Sequence, residues 1–143
     1  MISELLILFI SSFVSATLFP GGSELLLIYY INEAPQHSWL YWASASIGNS
    51  LGAIITYVMG YYFNFGRETT AIKYPKAWQY SRRYGVVILL FSWLPIVGDF
   101  LPLAAGWLRF PMLLSACAIM VGKALRYWLI VSSTLYLLPN LTA

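Results

Sequence analysis

Residues 18–27 read LFPGGSELLL, and they interrupt an apolar stretch that runs from about residue 5 to residue 31. A proline, two glycines and a carboxylate stand in the middle of this stretch, at Pro20, Gly21, Gly22 and Glu24. Proline removes a backbone donor and clashes with the preceding helical turn, whereas glycine tolerates the conformations that a chain reversal needs. The stretch is therefore predicted to form a broken helix with two apolar arms.

The whole chain is as apolar as this stretch. Of its 143 residues, 60% are hydrophobic and 9% are charged, whereas soluble domains carry about 25% charged residues. Four apolar stretches, at about residues 5–31, 39–63, 85–108 and 112–138, each reach the roughly 20 residues that a helix needs to cross a bilayer. The composition predicts an all-α integral membrane protein with one domain over residues 1–143.

The third stretch breaks in the same way as the first, at Pro95, Gly98 and Asp99. Both breaks read Pro-x-x-x-acid and lie 75 residues apart, and residues 48–52 (GNSLG) and 122–126 (GKALR) share Gly-x-x-Leu at an offset of 74. This spacing favours an internal repeat, with one copy over about residues 1–63 and the other over about residues 85–138. Chance similarity between apolar segments is the alternative.

Residues 64–84 form a basic and aromatic segment between the two copies, and they hold five of the eight basic residues. The positive-inside rule places this predicted loop in the cytoplasm. Its interleaved tyrosines and tryptophan are typical of a segment at the level of the lipid headgroups. Nucleic acid is not an expected partner. The predicted contacts with anionic lipid are Lys73, Lys76, Arg82 and Arg83.

The broken segments could either cross the membrane or re-enter it as hairpins. Re-entry places both termini outside and Arg109 on the cytoplasmic side, which the positive-inside rule favours because residues 1–18 and 137–143 contain no Lys or Arg. The predicted architecture is therefore two re-entrant helical hairpins plus two transmembrane helices, arranged as an inverted repeat. Irregular backbone at membrane depth must be covered by protein or line a cavity, so the two tips are expected to meet inside the bundle.

Four ionisable residues fall within the apolar stretches. Glu24 and Asp99 stand at the two tips, while Lys123 and Arg126 are three residues apart and so share one helix face. Each Asp, Lys or Arg at mid-membrane costs about 2.5–3.5 kcal/mol on insertion scales. We expect the two acids to face the two bases across an internal, partly wet cavity, with Asn49 adding to its polar lining. A static salt-bridge cluster that only holds the hairpins together is the structural alternative.

These residues suggest a transport site. A lysine and an arginine suit a phosphate group, and burial makes a carboxylate easier to protonate. Arg109 is expected to lie at the cytoplasmic opening of this site.

The Gly48-x-x-x-Gly52 pattern predicts close approach of a hairpin arm. Because the sequence lacks common hydrolase, phosphate-loop and metal-binding motifs, we expect no enzymatic activity, no metal and no cofactor.

Residues 8–130 resemble the YqaA family of the DedA (VTT, SNARE-associated) membrane protein superfamily. The resemblance rests on the tip motif PGGSE at 20–24, on GNSLG at 48–52 and on GKALRY at 122–127. It implies two opposed re-entrant hairpins and a role in lipid handling, either recycling of undecaprenyl phosphate or scrambling of phospholipid. Glu24 matches the tip glutamate of the superfamily. The two arginines typical of the second tip are replaced here by Ser92 and Gly98, which leaves the substrate and the coupling open.

The resulting prediction is a transporter-like protein of the bacterial inner membrane. It would translocate or scramble a lipid with an anionic phosphate headgroup, and coupling to protons stays open. The alternatives are a structural or accessory membrane protein and a proton-coupled antiporter of small solutes. Membrane lipids are the expected partners, and the short chain is compatible with a homo-oligomer.

Overall fold

The computed structural model describes residues 1–17, 22–63 and 65–141, and the regular elements in these ranges are all helical. The predicted tip residues Pro20 and Gly21 lie outside the described residues, and Gly22 is the first residue of the second helix. Short 3-10 segments follow the second and fifth helices, at Pro35–His37 and Leu89–Trp93. The α-helices are α1 (Ile2–Thr17), α2 (Gly22–Glu33), α3 (Ser38–Tyr62), α4 (Arg67–Lys73), α5 (Pro75–Ile88), α6 (Val97–Trp107) and α7 (Met112–Leu141).

Helices α1 and α2 form an antiparallel pair. Leu8 of α1 shares one buried core with Leu27 and Ile31 of α2. In a straight helix, Leu8 and Ile31 would be about 35 Å apart, so their common core requires the chain to reverse between α1 and α2. Helix α1 runs parallel to α3, because the Ser44 hydroxyl donates to the Leu5 carbonyl (2.7 Å) and the Thr56 hydroxyl to the Ala16 carbonyl (3.4 Å).

Two glycines of α3 set the close approach of α1. A β-carbon on Gly48 would overlap the Phe9 carbonyl, and one on Gly52 would overlap the Phe13 carbonyl. The prediction that Gly48-x-x-x-Gly52 admits a closely packed helical arm is therefore confirmed, and the arm is α1. The C-terminal end of α1 consequently lies beside the middle of α3.

The second break lies between the 3-10 segment and α6, where the sequence placed it. Ile96 has φ 65° and ψ −67°, and the Val97 amide donates to the Pro95 carbonyl at 2.7 Å, which forms a γ-turn. Positive φ is uncommon for a β-branched residue. Gly98 follows at once, and a β-carbon there would overlap the Ser92 carbonyl. The reversal thus depends on a tight turn and on a residue without a side chain.

The segment at residues 64–84 is not the loop that the sequence predicted. Arg67–Lys73 form α4, and α5 begins at Pro75 and continues into the third apolar stretch as far as Ile88. Proline is favoured in the first helical turn, where its missing amide hydrogen is not needed. The residues that follow include alanine, glutamine and arginine, which favour helix. Most residues of both helices are exposed.

Helices α3 and α7 cross the centre of the bundle in antiparallel directions. Tyr41 and Ala45 share a core with Tyr127 and Val131, whereas Ala53 and Tyr57 share a second core with Ala118 and Ile119. Within the described ranges, one helical segment, Met112–Leu137, is long and apolar enough to cross a membrane. Helix α3 has 25 residues, but its asparagine, serines and glycines lower its hydropathy below that of a simple span.

Candidate functional site

Four charged side chains meet at the middle of the bundle. Helix α2 begins at Gly22 and α6 begins at Val97, so Glu24 and Asp99 lie in the first turns of their helices. A carboxylate is favourable there because the helix dipole and the free amide groups make a helix N-terminus electropositive. Lys123 and Arg126 project from the middle of α7. The structure therefore brings together the four residues that the sequence singled out.

Arg126 joins the two acids. Its Nε donates to Glu24 Oε1 at 2.5 Å, and its Nη2 pairs with the same oxygen. Its Nη1 lies 3.2 Å and 3.3 Å from the two carboxylate oxygens of Asp99. Lys123 Nζ donates to Asp99 Oδ1. The result is a continuous series, Glu24–Arg126–Asp99–Lys123, with two positive and two negative charges.

The four side chains differ in their exposure. Lys123 is fully buried, the side chains of Arg126 and Asp99 are 7% and 9% exposed, and that of Glu24 is 26% exposed. Burial of an ion costs several kcal/mol unless partners compensate for it. The predicted arrangement across a wet cavity is not observed, because the acids and bases contact each other directly. Glu24 is therefore the most accessible of the four charged side chains.

A neutral polar layer adjoins the charges. The Tyr127 hydroxyl accepts a hydrogen bond from Asn49 Nδ2 at 2.6 Å and shares one with the Ser23 hydroxyl at 2.8 Å. The hydroxyls of Ser12 and Ser46 and the Oδ1 of Asn49 are buried without a hydrogen-bond partner among the described residues. Asn49 was predicted to line the site. Tyr127 was missed, although its position beside Arg126 and its amphipathic side chain could have pointed to it.

Arg109 lies away from the cluster. It follows the C-terminal end of α6, which rises about 15 Å from its first to its last turn. The Arg109 guanidinium sits 4.9 Å from the centre of the Tyr61 ring, and it borders two adjoining cavities that Arg82 also lines. The second of these cavities is also lined by Arg83. The structure therefore places Arg109 with the basic residues of α5 and not with the four-charge cluster.

The remaining predicted lipid contacts are on the outer surface. Lys73 lies 5.6 Å from the centre of the Tyr74 ring, and Arg83 lies 5.7 Å from the centre of the Tyr84 ring. Lys76 is exposed near the start of α5. A basic group beside an aromatic ring is favourable by cation–π attraction, and such pairs suit the boundary between lipid and water.

Comparison with known proteins gives close relatives. The chain is 42% identical over 130 residues to "Inner membrane protein YqaA" of Escherichia coli (strain K12), a match that covers 89% of this chain and 88% of the relative. The protein of the same name from Shigella flexneri matches equally. A protein from Haemophilus influenzae is 36% identical over 134 residues, covering 87% of this chain and 83% of the relative.

No protein-family model matches the chain, and no solved structure matches it significantly. The relatives nevertheless cover most of both sequences, and those from E. coli and Shigella are named as inner membrane proteins. Their names agree with the apolar, all-helical character of the chain and locate it in the bacterial inner membrane. The chain belongs to the YqaA family of inner membrane proteins, within the DedA family.

Proposed function

We propose that this protein translocates or scrambles a lipid with an anionic phosphate headgroup across the inner membrane. The observation that carries the proposal is the buried series Glu24–Arg126–Asp99–Lys123, in which both cations are bound to carboxylates and one carboxylate is accessible. Undecaprenyl phosphate and phospholipids are the candidate substrates. Lipids, with protons as a coupled ion, would be the partners of a carrier that is not an enzyme.

Charge balance suggests how a headgroup would enter the site. The cluster is neutral, so a phosphate monoanion would leave it with one uncompensated negative charge in a poorly solvated place. A proton on the Glu24 carboxylate removes that excess and weakens its pairing with Arg126. The planar guanidinium can then offer its donors to phosphate oxygens. For a headgroup with one negative charge, this step would take up one proton.

The proposal includes the finer topology of two re-entrant hairpins in an inverted repeat. The antiparallel pairing of α1 with α2, and the opposite directions of α3 and α7, support it. The many Lys and Arg residues of the segment at 64–84 favour its cytoplasmic location. The topology would explain why the first turns of α2 and α6 both approach Arg126 of α7.

Cysteine labelling in cells distinguishes re-entry from crossing. In a Cys117→Ser background, Ser3→Cys and Gln36→Cys flank the α1–α2 pair, and Lys76→Cys marks α5. Re-entry predicts that an impermeant maleimide added outside the inner membrane labels residues 3 and 36 and spares residue 76. Labelling of only one of residues 3 and 36 would refute the re-entrant first hairpin.

A structural role has one observation in its favour, namely that both buried cations are already paired. In that case the cluster would only hold α2, α6 and α7 together. Measurements of transport and of stability on the same variants distinguish the structural role from the transporter role. Loss of Glu24 would lower protein yield and melting temperature together under the structural role, whereas the transporter would lose activity with its fold intact.

The deciding experiment is lipid movement in proteoliposomes, with fluorescent phospholipid and undecaprenyl phosphate tested separately. Glu24→Gln is compared with the wild type and with Glu33→Gln, which removes an exposed carboxylate at the other end of α2. We expect at least a tenfold loss of rate for Glu24→Gln and little change for Glu33→Gln. Folded wild type that moves neither lipid would refute the proposal, and dissipation of a pH gradient without lipid movement would indicate an antiporter.

A further inference from the structure

We infer that Arg82 and Arg109 form a second anion site, separate from the four-charge cluster, which binds the headgroup of a lipid with a net negative charge at the turn between α6 and α7. Both arginines line a cavity of about 600 Å³, and both line an adjoining cavity of about 610 Å³. Pro111 borders the two cavities as well. Ligand sites in proteins commonly have volumes of about 300–1,000 Å³.

Packing brings the two arginines to the same place. Gly85 of α5 lies against the Phe110 ring so closely that a β-carbon there would overlap the ring. The Tyr57 hydroxyl donates to the Phe110 carbonyl at 2.5 Å, which ties the same turn to α3. Arg82 precedes Gly85 by three residues and so lies on the same side of α5, and Arg109 directly precedes Phe110. The position of each arginine thus follows from a buried contact beside it.

The backbone of Arg109 is unusual. Its φ is 55°, in the left-handed region where glycine is the common residue after a helix. The Phe110 amide donates to the Ala105 carbonyl at 3.1 Å and the Arg109 amide to the Gly106 carbonyl at 2.9 Å, which completes the helix end. A long cationic side chain at this position carries a conformational cost, and the conformation places its guanidinium over Tyr61, at the edge of the cavity.

The two arginines differ from Arg126 in their ion-pair partners. In the described part of the chain, no carboxylate forms an ion pair with Arg82 or Arg109, in contrast to Arg126, which contacts two. The cavity walls add Tyr57, Tyr61 and Tyr62, which are apolar surfaces with polar tips. Two guanidinium groups beside aromatic walls match a phosphate group attached to an apolar chain.

The inference rests on the proposed function only in taking the bound lipid to be the one that is moved. Occupancy of the site is an equilibrium property and needs no transport. A binding assay therefore tests the site alone, and the outcome of the proteoliposome assay does not decide it. The site would collect anionic headgroups at the opening between α5 and the α6–α7 turn.

The test is calorimetric titration of detergent-solubilised full-length protein with three probes: dioctanoyl phosphatidylglycerol, dioctanoyl phosphatidylcholine and inorganic phosphate. We expect phosphatidylglycerol to bind at least tenfold more tightly than phosphatidylcholine. Arg82→Gln and Arg109→Gln should each weaken phosphatidylglycerol binding about tenfold. Competition by inorganic phosphate would show that the phosphate group alone is recognised, and its absence would show that the apolar part of the lipid is also required.

Arg67→Gln is the matched control, because it removes one positive charge at the start of α4, and Arg67 lines neither cavity. It should weaken binding less than twofold. The paired variants Arg82→Lys and Arg109→Lys keep the charge but lose the planar fork, and they should bind with intermediate affinity. Equal weakening by Arg67→Gln and by the Arg82 and Arg109 variants, or equal affinity for the two lipids, would overturn the inference. Size-exclusion profiles verify that each variant is folded.

Discussion

Replacing Asp99 by asparagine is expected to destabilise the fold far more than replacing Glu24 by glutamine. Both changes remove one negative charge and almost no volume, so they differ mainly in what they leave unpaired. Lys123 has Asp99 as its ion-pair partner and is fully buried. Arg126 contacts both acids and therefore keeps one partner after either change.

The size of the effect follows from these contacts. Breaking a buried ion pair by removing one partner costs about 3–5 kcal/mol, because the remaining charge stays buried. We expect this loss for Asp99→Asn. For Glu24→Gln we expect a loss of about 1 kcal/mol, since Glu24 is 26% exposed and partly exposed ion pairs contribute little. The double variant Asp99→Asn/Lys123→Met removes both charges and should recover at least half of the loss.

Thermal unfolding in dodecyl maltoside, followed by size-exclusion chromatography of the heated samples, measures this order. The expected melting temperatures fall from wild type through Glu24→Gln and the double variant to Asp99→Asn. Equal losses for Asp99→Asn and Glu24→Gln would contradict the described burial of Lys123. Failure of Lys123→Met to rescue Asp99→Asn would show that the cost does not come from a stranded lysine charge.

Three further changes test the packing around the cluster by the same unfolding measurement. Tyr127→Phe removes the hydroxyl that bonds Asn49 and should cost about 1–3 kcal/mol; an unchanged melting temperature would mean that this hydroxyl has no buried partner. Gly48→Val should prevent close packing of α1 and lower both yield and melting temperature, whereas Gly22→Ala, with open space around it, should do neither. Tyr41→Phe loses a hydrogen bond to the partly exposed Glu4 and should cost less than about 1 kcal/mol; a larger loss would indicate a more buried contact.

Much of the architecture follows from local features of the sequence. The low charge content predicts a membrane protein, because too few polar groups are present to cover a soluble surface. The second break was predicted at Pro95–Asp99, and the structure has a turn there. Proline interrupts the helix because it lacks a backbone donor, and glycine accepts the close packing of the turn, so both effects are local. Lys123 and Arg126 were expected on one face because helical spacing alone decides it.

The segment at 64–84 shows where local reasoning failed. The sequence predicts a loop there because the segment lies between two apolar stretches and is rich in basic and aromatic residues. The structure forms α4 and α5 there. The short contact between Gly85 and Phe110 anchors α5 to the α6–α7 turn, and no periodicity within the segment reveals that contact.

The sequence by itself determined the membrane character, the broken third stretch and the identity of the four buried charges. Tertiary structure alone decided that Arg126 joins both acids, that Tyr127 bonds Ser23 and Asn49, and that Arg82 and Arg109 line the same cavities. Glu24 and Arg126 are 102 positions apart, and Ser23 and Tyr127 are 104 apart. Contacts at such separations depend on how whole helices pack. That packing is set jointly by the glycines that let helices approach closely, by the volume of the core side chains and by the geometry of the turns. The pattern of neighbouring residues in the sequence does not reveal it.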